Sequence, residues 1–205
     1  MIAIIDYGMG NLRSVQKGFE RVGVQAQITR EVSAISSARG VVLPGVGAFH
    51  ACMENLNAFG LVEPIRQIVQ QKKPFLGICL GLQLLFSESE EFGLQKGLCL
   101  LPGRVVGFRA NNGLKIPHMG WNQVAKKKES PFLEGISSGD SVYFVHSFYV
   151  VPDDTSIVAT TTDYGAPFVS SVATDHLFGC QFHPEKSQDL GLRILQNFGR
   201  FVDAH

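Results

Sequence analysis

The clearest strand-to-helix transition in the chain lies at residues 75–87, which read FLGICLGLQLLFS. The apolar run Phe75 to Ile78 predicts a short buried strand, and Leu80 to Ser87 is predicted to continue as a helix. Other apolar strands are predicted upstream, with helices between them, at Ile2 to Ile5, Val24 to Thr29 and Gly40 to Leu43. Near-continuous apolar strands that alternate with helices are typical of a parallel sheet covered by helices on both faces.

Cys79 stands at the junction of this strand and helix, with Gly77 and Gly81 on either side. The pattern is typical of a nucleophile elbow, a strained turn that lifts a reactive side chain clear of the sheet. Larger side chains two residues away would crowd such a turn, and the free N–H groups of the helix start favour a thiolate. A buried cysteine in a tight turn is the alternative interpretation.

The second half of the chain has short predicted strands joined by Gly, Pro and Asp turns, and it ends in an amphipathic helix at Leu190 to Val202. These strands are expected to extend the sheet in antiparallel or mixed fashion. We therefore predict an α/β three-layer sandwich with a mostly parallel central sheet plus an antiparallel extension. Residues 1-205 form a single domain in this prediction.

Composition narrows the classes of function. Among 205 residues, 18 are Lys or Arg and 18 are Asp or Glu, so no basic field is available to attract nucleic acid. No apolar stretch is long enough to span a bilayer. The four cysteines are widely spaced, which favours free thiols in a reducing compartment over a disulfide framework. We expect a cytoplasmic protein that has no nucleic-acid or membrane partner.

Two further segments carry chemistry. His183 and Glu185 are two residues apart at the end of a predicted strand, so the carboxylate can orient the imidazole beside a nucleophile. An incidental surface ion pair would explain that motif alone equally well. Gly45-Val46-Gly47 follows another strand end, where its N–H groups and that of Leu80 could bind an oxyanion. The alternative for this segment is a simple turn.

The segments Pro44-Gly45-Val46-Gly47, Gly77-Ile78-Cys79-Leu80-Gly81 and Phe182-His183-Pro184-Glu185, in this order, resemble the class I (triad) glutamine amidotransferases. Four more segments resemble one branch of that family, the glutaminase subunits that feed ammonia to a (β/α)8-barrel cyclase in histidine biosynthesis. These segments are DYGMGNL at residues 6–12, PHMGWN at 117–122, HSFY at 146–149 and HPEKS at 183–187. The resemblance covers essentially the whole chain.

The resemblance implies a role for each matching residue. Cys79 would be the nucleophile, His183 the general base and acid, and Glu185 the group that orients His183. The residues implied to bind the oxyanion or the glutamine are Gly45, Val46, Gly47, Leu80, Gln83, His146, Ser147 and Phe148. Those implied to face the cyclase are Asn11, Pro117, His118, Met119, Trp121, Tyr143 and Lys186.

The implied reaction is hydrolysis of the glutamine side-chain amide through a thioester, with no metal and no cofactor. The implied partner is a cyclase barrel on a separate chain, which forms a heterodimer with this one, since such a barrel needs roughly 200 residues of its own. A peptide in Gly45–Gly47 can flip, so that a carbonyl instead of an N–H points at the oxyanion. We therefore expect the isolated chain to be a poor glutaminase until the partner is docked and loaded with its substrate. The alternatives are an amidotransferase for anthranilate or pyridoxal phosphate synthesis, and a non-catalytic binding subunit of the same fold.

Overall fold

Two helical layers enclose a mixed β-sheet in the computed structural model, which describes residues 1–109 and 114–205. The strands are β1 (Ile2–Ile5), β2 (Ala26–Thr29), β3 (Gly40–Gly45), β4 (Phe75–Cys79), β5 (Phe86–Ser89), β6 (Gln95–Lys96), β7 (Leu101–Gly107), β8 (His118–Gln123), β9 (Ala125–Lys126), β10 (Ser141–His146), β11 (Phe148–Pro152), β12 (Val158–Asp163), β13 (Pro167–Ala173) and β14 (Leu177–Cys180). The α-helices are α1 (Leu12–Arg21), α2 (Val32–Ser37), α3 (Phe49–Ala58), α4 (Val62–Gln70), α5 (Leu80–Gln83) and α6 (Gln188–Ala204). Short 3-10 helices lie at Pro131–Leu133, Thr155–Ile157 and Pro184–Lys186.

The main sheet has the strand order β2-β1-β3-β4-β14-β13-β11-β7-β5-β6, and β12 joins it by pairing with β13 and β9. Strands β2 to β14 of this order are parallel, whereas β14–β13, β13–β11 and β11–β7 pair antiparallel. The predicted α/β class with its antiparallel extension is therefore confirmed. The expectation that every late strand extends this sheet is wrong for β8 and β10, which form a separate antiparallel pair.

The predicted helix after Cys79 is shorter than expected. It ends at Gln83, and the chain turns into β5 at Phe86. The carbonyl oxygens of Leu84 and Leu85 accept hydrogen bonds from the N–H groups of Leu98 and Leu100 instead of continuing the helix. Tertiary pairing of this segment thus outweighs its local helical preference.

The core lies on both faces of the parallel strands. In β1, Ala3 and Ile5 pack in the cluster that contains α3 and α4, whereas Ile2 and Ile4 pack in the cluster that contains α1 and α6. This alternation follows from the two-residue period of a strand. Because β3 and β4 are parallel neighbours with Gly45 opposite Cys79, their carboxyl ends meet at one edge, where α/β sheets place their sites.

Candidate active site

Cys79 lies on a sharp turn between β4 and α5, with backbone angles φ 55° and ψ −113°. This left-handed region is costly for a residue with a side chain, and such strain is typical of functional positions. A Cβ on Gly81 would overlap the carbonyl oxygen of Leu43, and one on Gly77 would lie 3.0 Å from the carbonyl oxygen of Gly81. Both glycines are therefore required by close backbone approach. Because α5 has only four residues, it offers the N–H groups of one turn and no extended helix dipole.

His183 and Glu185 form a buried pair, with 2.8 Å between Nδ1 and Oε1 and side-chain exposures of 2% and 1%. The predicted pairing is therefore present, although a 3-10 turn that starts at Pro184 produces it and an extended strand does not. The backbone N–H of His183 donates to the carbonyl oxygen of Tyr143 at 2.9 Å. The Ser187 hydroxyl donates to the His183 carbonyl at 2.7 Å and accepts from the Tyr143 N–H. The backbone of His183 is thus held on both sides, and Glu185 holds the ring at Nδ1.

The charge state of His183 depends on its neighbours. Burial by itself would lower the pKa of His183, but the negative charges of a Cys79 thiolate and of the Glu185 carboxylate outweigh burial and raise this pKa to about 10. Its Nε2 atom has no hydrogen-bond partner among the described residues. The Cys79 sulfur contacts Gln181 Nε2 at 3.7 Å and the Val145 carbonyl oxygen at 3.9 Å. A thiol and an unpaired imidazole nitrogen thus border one cavity.

Gly45 packs directly against the elbow. A Cβ at this position would lie 2.8 Å from both the backbone nitrogen of Gly81 and the hydroxyl oxygen of Tyr7. Such distances are too short for a real side chain, so the approach of β3 to the elbow requires glycine here. The loop that follows Gly45 is thereby held next to Cys79.

Two buried side chains hold the carbonyl groups of this loop. The Tyr7 hydroxyl donates to the Pro44 carbonyl at 2.8 Å, and the Cys52 thiol donates to the Val46 carbonyl at 3.5 Å. The carbonyl and N–H of a trans peptide point in opposite directions, so the N–H of Gly47 points away from Cys52. Gly47 has φ 95°, and apart from its chain neighbours no described residue has a heavy atom within 4 Å of a Cβ built there. The loop can therefore present an N–H to the cavity.

A cavity of about 310 Å³ joins these elements, a size suited to a small ligand. It is lined by Val46, Gly47, Cys79, Leu80, Gln83, Glu91, Pro117, Val145, His146, Ser147, Phe148 and His183. Across residues 1–109 and 114–205, no cluster of three or more His, Cys, Asp or Glu side chains is placed to hold a metal ion.

The structure brings Gln83 and His146 to the cavity wall, but their polar atoms are largely engaged. Gln83 Nε2 donates to the Phe148 carbonyl and to Gln181 Oε1, both at 3.0 Å. His146 uses Nδ1 toward the Phe148 carbonyl at 2.8 Å and Nε2 toward His118 at 2.9 Å. Both ring nitrogens of His146 are thus engaged within the protein, and the expectation that the His146–Phe148 strand helps to hold glutamine stays a prediction.

Most of the residues expected at a partner surface are accessible. Met119 and Trp121 are 65% and 48% exposed, and the Trp121 ring meets the half-buried Tyr143 ring edge-on, with 6.1 Å between the ring centroids. Lys186 Nζ lies 5.8 Å from the centre of the Tyr143 ring. Asn11 and Pro117 are also exposed.

His118 is the exception among the expected partner residues. It is only 3% exposed, because the alternation along β8 turns it inward. In the free chain His118 is therefore not part of the exposed surface of β8.

A family model for class I glutamine amidotransferases matches residues 3–201 of the chain. The chain belongs to this family. The amidotransferase is 59% identical over 204 residues to the imidazole glycerol phosphate synthase subunit HisH of Syntrophotalea carbinolica, covering 97% of this chain and 99% of the relative. It is 52% identical to the HisH subunit of Geobacter sulfurreducens, with 97% of each chain covered.

Solved structures share the fold of this amidotransferase at low sequence identity. PurLQS from Thermotoga maritima superposes with a TM-score of 0.72 at 20% identity, with 98% of each chain covered. A glutamine amidotransferase from the same organism gives a TM-score of 0.63 at 17% identity, covering 99% of this chain and 84% of that one. These similarities establish the fold alone.

Two residues at or beside the cavity of the amidotransferase belong to no sequence motif. Glu91 lines the cavity, and its Oε2 accepts from the N–H of Phe49 at 2.6 Å. Gln181 is fully buried and bridges Gln83 to the sulfur of Cys79. Gln181 lies beyond the end of β14 at Cys180, so strand alternation does not account for its place beside Cys79. Nothing in the local sequence distinguishes Glu91 from its neighbour Glu90.

Proposed function

We propose that this chain, as a single domain over residues 1-205, is the glutaminase subunit of imidazole glycerol phosphate synthase. The observation that carries the proposal is one cavity lined both by Cys79 of the strained elbow and by His183, which is paired with the buried Glu185 carboxylate. The chain also aligns with HisH subunits over nearly its whole length. The reaction is hydrolysis of the glutamine side-chain amide to glutamate and ammonia.

Cys79 is the proposed nucleophile. Its thiolate attacks the amide carbon, and the resulting oxyanion accepts hydrogen bonds from the N–H groups of Leu80 and the Val46–Gly47 loop. Protonated His183 gives its proton to the departing nitrogen, which leaves as ammonia, and a Cys79 thioester remains. His183 then removes a proton from water, the hydroxide attacks the thioester, and glutamate leaves as Cys79 is regenerated. Glu185 orients the imidazole and stabilises its charged form.

The cavity offers groups that match the backbone end of an amino acid. The Glu91 carboxylate suits the α-ammonium group of glutamine, because opposite charges at a partly desolvated site attract strongly. Ser147 and Phe148 also line the wall of this cavity. Gln83 acts on this wall through its hydrogen bond to the Phe148 carbonyl.

The proposed partner is a (β/α)8-barrel cyclase subunit, which forms a heterodimer with this chain and uses the ammonia to make imidazole glycerol phosphate and the aminoimidazole carboxamide ribotide. Ammonia in neutral water is mostly protonated and unreactive, so transfer requires a docked partner and a dry route. The surface formed by Asn11, Pro117, Met119, Trp121, Tyr143 and Lys186 is the proposed docking site. Pro117 lies both on this surface and in the cavity wall, which brings the partner close to Cys79.

We place the protein in the cytoplasm. The Sγ atoms of Cys52, Cys79, Cys99 and Cys180 are free thiols, as in a reducing compartment. Within residues 1–109 and 114–205, the helices fall short of the length and apolar character that a membrane crossing demands.

A glutaminase assay on the chain alone and with a co-expressed cyclase barrel tests the function. The proposal predicts glutamate release from glutamine in the complex, and loss of this release in a Cys79→Ala complex of the same composition. Stable complex formation without any glutamate release would favour the non-catalytic subunit. Glutamate release at the same rate in Cys79→Ala would place the chemistry elsewhere.

A further inference from the structure

A chain of hydrogen bonds runs through buried side chains from strand β8 to the wall of the active-site cavity. Asn122 Nδ2 lies 3.2 Å from His118 Nε2, and His118 Nδ1 lies 2.9 Å from His146 Nε2. His146 Nδ1 lies 2.8 Å from the Phe148 carbonyl oxygen. Both imidazoles are buried, with exposures of 3% for His118 and 6% for His146.

The groups at the two ends fix the position of every proton. The Phe148 carbonyl can only accept, so the proton of neutral His146 is on Nδ1 and its Nε2 is an acceptor. His118 must then donate from Nδ1 and accept at Nε2. The Asn122 amide nitrogen can only donate, and it also donates to the Asp163 carbonyl at 2.8 Å. Each histidine is therefore held in one tautomer.

The surroundings keep both rings neutral. His118 stacks between Tyr164 and Phe144, with ring centroids 4.0 Å and 4.8 Å away. Burial lowers the pKa of His118 to about 4 and, together with smaller contributions from its neighbours, that of His146 to about 3. A proton added to either ring would also turn an acceptor nitrogen into a donor and break one of these hydrogen bonds.

These hydrogen bonds connect two regions that matter for catalysis. At one end, the Phe148 carbonyl also accepts from Gln83, which binds Gln181 beside the Cys79 sulfur. At the other end, β8 exposes Met119 and Trp121 on the face opposite to His118. The hydrogen bonds therefore link strand β8 to the cavity wall.

We propose that His118 is a positioning residue for glutamine: by donating to His146 it fixes the Phe148 carbonyl and the adjacent Ser147 at the cavity wall. The inference rests on the proposed glutaminase function. It predicts that loss of the His118 hydrogen bonds weakens glutamine binding more than it slows the chemical steps at Cys79.

The test compares His118→Phe with His118→Gln in the complex with the cyclase. Phenylalanine fills the aromatic site but cannot donate, whereas glutamine can donate to His146 and accept from Asn122. We expect His118→Phe to raise the KM for glutamine roughly tenfold, as expected when a buried acceptor loses its donor, with kcat changed less than about threefold. We expect His118→Gln to restore most of the KM.

Tyr164→Phe is the matched control. Tyr164 stacks on His118, but its hydroxyl donates to the Lys115 carbonyl and takes no part in the hydrogen bonds from Asn122 to Phe148. Its KM should match that of the wild type. An unchanged KM in His118→Phe, a fall in kcat alone, or equal defects in His118→Phe and His118→Gln would overturn the proposal.

A second measurement does not depend on the folding of any variant. Nitrogen-15 spectra of the histidine rings in the wild-type complex should show His118 and His146 as neutral Nδ1–H tautomers. An Nε2–H tautomer at either ring would refute the hydrogen-bond chain. If the wild-type complex released no glutamate, the proposed function would fail, while the spectra would still test the hydrogen bonds of His118 and His146.

Discussion

Replacing Glu185 with glutamine removes one charge beside His183 and leaves the shape of the site almost unchanged. In the wild type, Glu185 Oε1 lies 2.8 Å from His183 Nδ1, and the amide oxygen of glutamine can accept a hydrogen bond from Nδ1 at the same position. Two unit charges 4 Å apart interact by about 4 kcal/mol at an effective dielectric constant of 20. Because about 1.4 kcal/mol corresponds to a factor of ten, we expect kcat/KM to fall by about 10²- to 10³-fold.

His183→Ala should cost more than Glu185→Gln, because His183 moves protons in both halves of the reaction whereas Glu185 only orients and stabilises it. The assay is steady-state glutamate release by both variants, each in complex with the cyclase. Cyclase activity with added ammonium salt serves as the control for an intact partner. A loss for Glu185→Gln that equals or exceeds that of His183→Ala would refute the assigned roles.

The same substitution has a pH signature in stability. The raised pKa of His183 means that its protonated form contributes stability fully below pH 6.5, and that this contribution is lost as pH rises toward 10. The difference in Tm between the wild type and Glu185→Gln should therefore be largest near pH 6 and should shrink above pH 9. A difference that grows with pH would contradict a stabilised imidazolium.

Three further predictions concern the nucleophile and the oxyanion loop. Cys79→Ala should abolish glutamine hydrolysis while the fold and partner binding survive, and a glutamine-analogue electrophile should label Cys79 in peptide maps; label on another cysteine would contradict this. Tyr7→Phe leaves the Pro44 carbonyl without its buried donor, so we expect the free energy of unfolding to fall by about 1–3 kcal/mol. We also expect a lower kcat for glutamine hydrolysis, because the oxyanion loop loses this hydrogen bond. Thermal melts and kinetics that match the wild type would show that Tyr7 does not hold the loop. The isolated chain should be a poor glutaminase that is activated by a ligand-loaded cyclase, and full activity without the partner would exclude a switch at Gly45–Gly47.

The sequence predicts the parts of the site that depend on local geometry. The glycines around Cys79 predict a tight turn, because such a turn excludes side chains at their positions. The structure shows the close contacts that side chains there would make. The His183–Glu185 pair was predicted from their separation of two residues, although a 3-10 turn brings them together. A steric rule thus suffices for the glycines, whereas for the pair the short separation along the chain gives the contact but not the backbone conformation.

Features that depend on distant pairing could not be predicted in this way. The helix after Cys79 stops early because segments near Leu98 and Leu100 take its carbonyl groups. The inward orientation of His118 depends on which face of β8 packs against the molecule, and alternation alone does not specify that face. Glu91 reaches the cavity only through the path of the loop after β5, for which the sequence has no local signal.

The most direct test of the central claim follows the amide nitrogen from glutamine into the product of the partner. The complex is supplied with glutamine labelled with nitrogen-15 at the side-chain amide, the cyclase substrate and an excess of unlabelled ammonium at neutral pH. We predict that imidazole glycerol phosphate carries the label almost undiluted, and that a Cys79→Ala complex yields only unlabelled product. Full dilution of the label by the external ammonium, or labelled product from Cys79→Ala, would contradict a glutaminase that passes its ammonia directly to a docked cyclase.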